Sequence, residues 1–236
     1  MDIRGERKCT SCGARWSYYE TGEIACPDCG SLRSVGVDER RTHTAGTETL
    51  DLTAIRADSE TEPVRELAKR ASEQCRSYIK TVGFIHAGEL TELSEQYLGA
   101  CELRRVGSTL SHLLQVSDDE QLYFLELLRG VDSGDRPTPE EVPETFHPER
   151  GLAAAAAVEA YLTDCRRVLD EREESVDRIL SWITARKKRI EALDGDVHPR
   201  ESERLVRTVQ DLGLYLGEED ETALARALDR IDGEET

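Results

Sequence analysis

The chain has 236 residues, 38% hydrophobic and 34% charged, with 49 acids against 31 bases and a formal net charge of −18. That balance fits a soluble globular protein, either one large domain or a small module joined to a larger one. It excludes a body drawn to nucleic acid by bulk charge, and no run of about 18 uncharged apolar residues offers a transmembrane helix, so no membrane partner is expected.

Met1–Glu6 has no apolar stretch after its charges, so no secretory signal is read there and a cytoplasmic location is expected. Acidity is uneven along the chain. Residues 1–48 carry seven bases and eight acids, and the remainder carries 24 and 41. Of the seven cysteines, four stand in two close pairs near the N-terminus, which is metal-ligand spacing and a poor match to a disulfide scaffold.

Residues 1–37 read as a zinc ribbon. Cys9-Thr10-Ser11-Cys12-Gly13 and Cys26-Pro27-Asp28-Cys29-Gly30 each allow one tight turn to direct two thiolates at one ion, and the following glycine permits the backbone that closes the turn. Together Cys9, Cys12, Cys26 and Cys29 supply the four soft ligands of one structural Zn2+. Iron in a rubredoxin-like site competes for the same donors. Short strands are expected over residues 15–19, 23–25 and 32–37, with Glu20-Thr21-Gly22 as the turn between the first two. About 30 residues bury too little apolar surface to fold alone, so metal binding is expected to supply most of the folding energy.

Cys-x-x-Cys-Gly and Cys-Pro-x-Cys-Gly-Ser within residues 9–37 resemble the zinc ribbon at the start of archaeal transcription factor B. Related ribbons occur in RNA polymerase subunits and ribosomal proteins. The whole chain resembles an uncharacterised haloarchaeal family that carries such a ribbon. Scarce lysine, many carboxylates and abundant alanine also look like a protein from a salt-loving archaeon. In transcription factor B the ribbon docks on RNA polymerase and a basic core binds promoter DNA. Here the body is acidic and shows no pair of repeated five-helix units, which argues against a general initiation role.

On alternating strand positions Trp16 and Tyr18 face one side and Tyr19 the other. They either cover the small ribbon core or form a surface that stacks on a base or a partner protein. Arg15, Arg33, Arg40 and Arg41 supply positive charge nearby. Residues 38–61, rich in Thr, Asp, Glu and Gly, read as a linker, with Leu50 and Leu52 forming a short strand or a docking contact. His43 is not expected to be a ligand, since the cysteines already satisfy the ion.

From residue 62 the apolar period becomes helical, and the expected fold is an antiparallel helical bundle in two halves, 62–131 and 149–233, around a proline-rich loop at 132–148. Val64, Leu67, Ala71, Cys75, Tyr78, Ile79, Val82 and Ile85 form the first stripe. A second helix is expected from Gly88, with Gly107 marking close packing or a bend. Ser117-Asp118-Asp119-Glu120 caps a third. Ala153–Leu193 reads as one long helix, His198-Pro199 starts the next, and Glu221–Ile231 forms the last.

Cys75, Cys101 and Cys165 sit on the apolar stripes as core residues. Phosphate loops, nucleophile elbows and nuclease-like sets are not found, so no enzyme is expected, although carboxylates on separate helices are able to converge. Arg186-Lys187-Lys188-Arg189, beside Trp182, is the one dense basic run. It is either solvated surface or a contact for nucleic acid or an acidic protein. Three roles follow: a protein-interaction or regulatory adaptor in an information pathway, a direct nucleic-acid binder, or a self-associating structural bundle that forms homo-oligomers.

Overall fold

The computed structural model describes residues 1–169 and 173–233. A small β module with a zinc-ribbon-like motif precedes a large antiparallel α-helical bundle.

The module is built on strands β1 (Asp2–Arg4), β2 (Glu6–Cys9), β3 (Arg15–Ser17), β4 (Ser34–Gly36) and β5 (Arg40–Thr42). β2 is the centre of a three-stranded antiparallel sheet, with Arg7 opposite both Trp16 of β3 and Gly36 of β4. β1 pairs with β5, placing Ile3 opposite Arg41 and Arg4 opposite Arg40.

Two local expectations are corrected here. The strand predicted through Tyr19 stops at Ser17, and Tyr18–Thr21 forms a single helical turn, α1, closed at Gly22. Residues 23–25 form no strand, because their carbonyls serve side chains: Trp16 Nε1 donates to Glu23 O at 2.9 Å and Ser34 Oγ to Ile24 O at 3.1 Å. The central ladder comes instead from Glu6–Cys9, a charged segment without alternation.

The chain then enters the body. Leu50 and Leu52 are buried in the main core, and Thr53–Ala57 forms a short helix, α2. Arg56 of α2 is tied to Asp132 at 2.7 Å. α3 (Val64–Thr81) ends before Val82 and Ile85 of the predicted stripe. Residues expected to start the second helix form instead a hairpin, β6 (Ile85–His86) and β7 (Glu89–Leu90). Ala87 and Gly88 fill its two-residue turn, both at positive φ, the geometry that matches the strand twist. α4 (Glu95–His112) follows, capped by Ser94, and then α5 (Asp118–Gly130), whose Ser117 and Glu120 complete a reciprocal capping box.

The proline-rich stretch contains three 3₁₀ turns and leads into α6 (His147–Val168). α7 (Glu174–Ala192) is a separate helix, so the single long helix expected over Ala153–Leu193 is two. α6 closes at Leu169, whose extended backbone stops the ladder. α8 (Pro199–Glu218) begins where His198-Pro199 predicts, and α9 (Glu221–Asp232) ends the described chain.

One continuous core runs from Leu50 to Ile231. Buried Ala153, Ala154, Ala155 and Ala157 let α6 approach α4 and α8 closely. α3 and α4 form the most extensive helix pair, and Gly107 marks their contact: a Cβ there would lie 2.5 Å from Ala68 O. Ser72 Oγ spans the same interface to Arg104 O at 2.8 Å. Gly107→Val is therefore expected to destabilise the bundle by about 1–3 kcal/mol, the usual range for overpacking. An unchanged urea midpoint would contradict this close approach.

Candidate metal centre and the ribbon surface

The two cysteine turns repeat one backbone pattern. Cys9 N donates to Ala14 O at 2.8 Å and Gly13 N to Cys9 O at 3.1 Å. Cys26 N donates to Ser31 O at 3.0 Å and Gly30 N to Cys26 O at 2.9 Å. Gly13 (φ 86°) and Gly30 (φ 68°) both adopt the left-handed region with open space where a Cβ would stand. Backbone conformation, not crowding, therefore requires glycine there. Thr10 N bonds Arg33 O at 2.9 Å, locking the first turn to the segment that follows the second.

These turns bring four sulfurs together, all within 4.8 Å of one another. Cys9 Sγ lies 3.7 Å from Cys29 Sγ, and Cys12 Sγ lies 3.6 Å from Cys26 Sγ. A tetrahedron with Zn–S bonds of ~2.3 Å has sulfur–sulfur edges of about 3.8 Å. The two shortest contacts match such an edge, and the four-thiol donor set is able to coordinate a thiophilic ion. Cys9 and Cys26 are buried, Cys12 and Cys29 exposed. The Cys9 thiol is lowered to about 6, chiefly by the Cys12 backbone amide, with Ser11 N–H 3.4 Å from the sulfur also contributing. Cys12 is raised to about 12: the Ala14 amide pulls the other way, but the neighbouring Cys29 and Cys26 thiols prevail.

Trp16 packs with Cys9 and Cys26 as the module's own small core. Its reading as an outward contact surface is corrected, because the ring is buried and its N–H is used internally. Tyr18 does not share its face, since strand alternation has ended; it is half-buried at a surface groove. His43 stands apart from the sulfurs, buried against Tyr19 and His86 with ring centroids 4.8 and 5.2 Å away. Burial foremost, then the charge of His86, lowers its pKa. This is the seam between module and bundle. Thr44 Oγ1 donates to Asp164 Oδ2 at 2.6 Å, and Phe84 N donates to the same oxygen at 2.8 Å. Gly88 N reaches Thr42 O at 2.8 Å.

The basic run on α7 is spread around its helix, as four consecutive residues must be. Lys187 pairs with Glu159 and Glu191 at 3.2 and 3.1 Å, and Arg189 with Glu201 at 2.9 Å. The Arg186 guanidinium lies 5.4 Å from the Trp182 ring centroid, and Lys188 is exposed.

Carboxylates from separate helices do converge, with arginines between them. Glu102 of α4 receives both Nη1 contacts of Arg150, at 2.9 and 3.1 Å, and the Tyr123 hydroxyl. Arg136 bridges Glu95 and Glu203 at 3.1 and 2.9 Å, and Arg207 reaches Glu203 at 2.9 Å. Three carboxylates meet three guanidiniums, so the network carries no net charge. Among the described residues, the four cysteines are the one cluster whose donor atoms suit a metal ion. Cys75, Cys101 and Cys165 are buried and raised to about 12, burial being the main cause. No described helix is long and apolar enough to cross a membrane.

Residues 1–231 match a family described as a family of unknown function (DUF7117). The chain belongs to that family. No curated protein matches it, and no solved structure does. In this member, the matched span takes in both the cysteine cluster and the bundle down to Ile231.

Proposed function

We propose that the family member described above is a non-catalytic adaptor whose ribbon, closed around one structural Zn2+, docks on a protein partner in transcription or a related information pathway. The observation that carries this reading is the closed donor set. Four sulfurs at tetrahedral spacing leave no coordination position for a reacting water, so the ion is assigned to folding and not to chemistry. The ribbon's sequence motif supports the pathway, since it resembles the ribbon by which archaeal transcription factor B docks on RNA polymerase. The body's buried charges are neutralised internally, as befits a scaffold.

The test is elemental analysis together with capture by a tagged full-length chain, with and without prior chelation. One zinc per chain and a partner retained by the metal-loaded form alone are expected. A red, iron-containing protein would overturn the metal assignment. Capture that is indifferent to the metal would overturn the ribbon as the docking module.

A further inference from the structure

Many arginines of the bundle are matched to carboxylates: Arg70 sits between Asp58 and Glu62, and Arg226 and Arg230 share Asp211. In the ribbon, among the described residues, no carboxylate lies within ion-pair distance of Arg4, Arg7 or Arg40. Arg4 and Arg40 are also directly opposite one another on β1 and β5. Like charges in that position destabilise a strand pair, and an acid at either place would remedy it. The sequence thus carries a local cost in a chain with no shortage of acids.

These arginines line one groove of about 280 Å³, together with Ile3, Tyr18 and Ile24. Ile24 is 51% exposed, a large aliphatic side chain left in water. Two guanidiniums are pre-positioned. Arg4 Nη1 donates to Asp38 O at 2.7 Å, and Arg7 Nε to Ser34 Oγ at 3.0 Å. Each guanidinium has five N–H donors, so most remain available to an incoming anion. The one acid in the lining, Asp2, accepts from Thr42 Oγ1 at 2.8 Å.

We propose that this groove binds an acidic segment of a partner protein, with carboxylates on Arg4, Arg7 and Arg40 and an aliphatic side chain against Ile3 and Ile24. The assignment rests on the docking-module reading and adds the face and the partner's chemistry. The volume suits a side chain or two, below the usual size of a small-molecule site. A protein segment fits better than nucleic acid, because the apolar lining is mainly aliphatic. Tyr18 is its single ring, whereas single strands are held on successive aromatic platforms. A short peptide also meets less long-range repulsion from a chain of charge −18 than a polyphosphate does. Contact pairs persist in concentrated salt, since the Debye length at 1 M is still ~3 Å.

The test uses the metal-loaded full chain and three fluorescent probes: a short peptide with a leucine flanked by glutamates, its glutamine counterpart, and oligothymidylate. The glutamate peptide should bind in preference to both others. Arg40→Glu should weaken it by about tenfold or more, with metal content unchanged and Tm no lower, because a cross-strand pair with Arg4 replaces a repulsion. Ile24→Ser should weaken it without altering the salt dependence. Equal binding of the glutamine peptide, tighter binding of oligothymidylate, or full binding by a folded Arg40→Glu variant would overturn the proposal. If Arg40→Glu still captures the partner in a metal-dependent way, this face fails while the docking module stands. Metal-independent capture instead fails the docking module itself.

Discussion

Cys26→Ser is expected to unfold the ribbon while leaving the bundle folded. The module's own core consists of Cys9, Trp16 and Cys26 with Ala14 against it, and a large buried apolar side chain contributes about 1.5–3 kcal/mol. So small a core does not hold some thirty residues in order by itself. A bound structural zinc supplies most of the folding energy of such a module, and serine cannot replace a thiolate in the shell. Trp16 emission should shift to the red, metal content should fall from one ion to none, and the far-ultraviolet helical signal should largely remain, because the bundle core from Leu50 onward is separate. A metal-free variant that keeps the buried Trp16 signal would end this account.

The second large effect is expected at Arg150. The side chain is 2% exposed and Glu102, its partner, 1%. Arg150→Met leaves Glu102 buried with the Tyr123 hydroxyl and an Arg136 nitrogen 3.6 Å away. Removing one member of a buried pair costs about 3–5 kcal/mol, and the remaining Arg136 places the expectation at the lower end. Glu102→Gln in the same chain should recover most of the loss, since the stranded charge is gone. Urea unfolding of the single and double variants decides it, and a loss under about 1 kcal/mol for the single variant would refute the network's importance.

Acid should act on the same network. Burial works against it, but Arg136, Arg150 and Arg207 hold the Glu203 carboxyl below its ordinary value of 4.5. The contribution of Glu203 is thus complete above that value and is lost as pH falls through the depressed one. The slope of stability against acid should flatten when Arg150 is removed.

Much of the molecule was legible locally. Two Cys-x-x-Cys-Gly segments specify their turns within five residues each, so the sulfur cluster could be read directly. Ser117 with Glu120, and His198 with Pro199, mark helix starts by chemistry confined to one turn. What was missed depends on distant partners. Asp2–Arg4 and Glu6–Cys9 are mostly charged and become strands because residues 34–42 lie alongside them. Gly88 reads as a helix start, and only the pairing of Ile85 with Leu90 reveals a hairpin turn. Trp16 is fixed by a bond to a carbonyl seven residues on, which also removed the strand expected at Glu23. Arg150 meets Glu102 and Glu203 from 48 and 53 residues away, with no pattern in the sequence to announce it. The groove was not legible: Arg40 reads only as one of four arginines near the ribbon, and its juxtaposition with Arg4 and Ile24 requires the fold.

Asp164 grips two stretches of chain at once, Thr44 leaving the sulfur-bearing end and Phe84 entering the hairpin. It does so from α6, the longest helix among the described residues, 22 residues and therefore about 33 Å long. The stretch leaving the module and the stretch entering the hairpin are thereby fixed to one helix of the bundle.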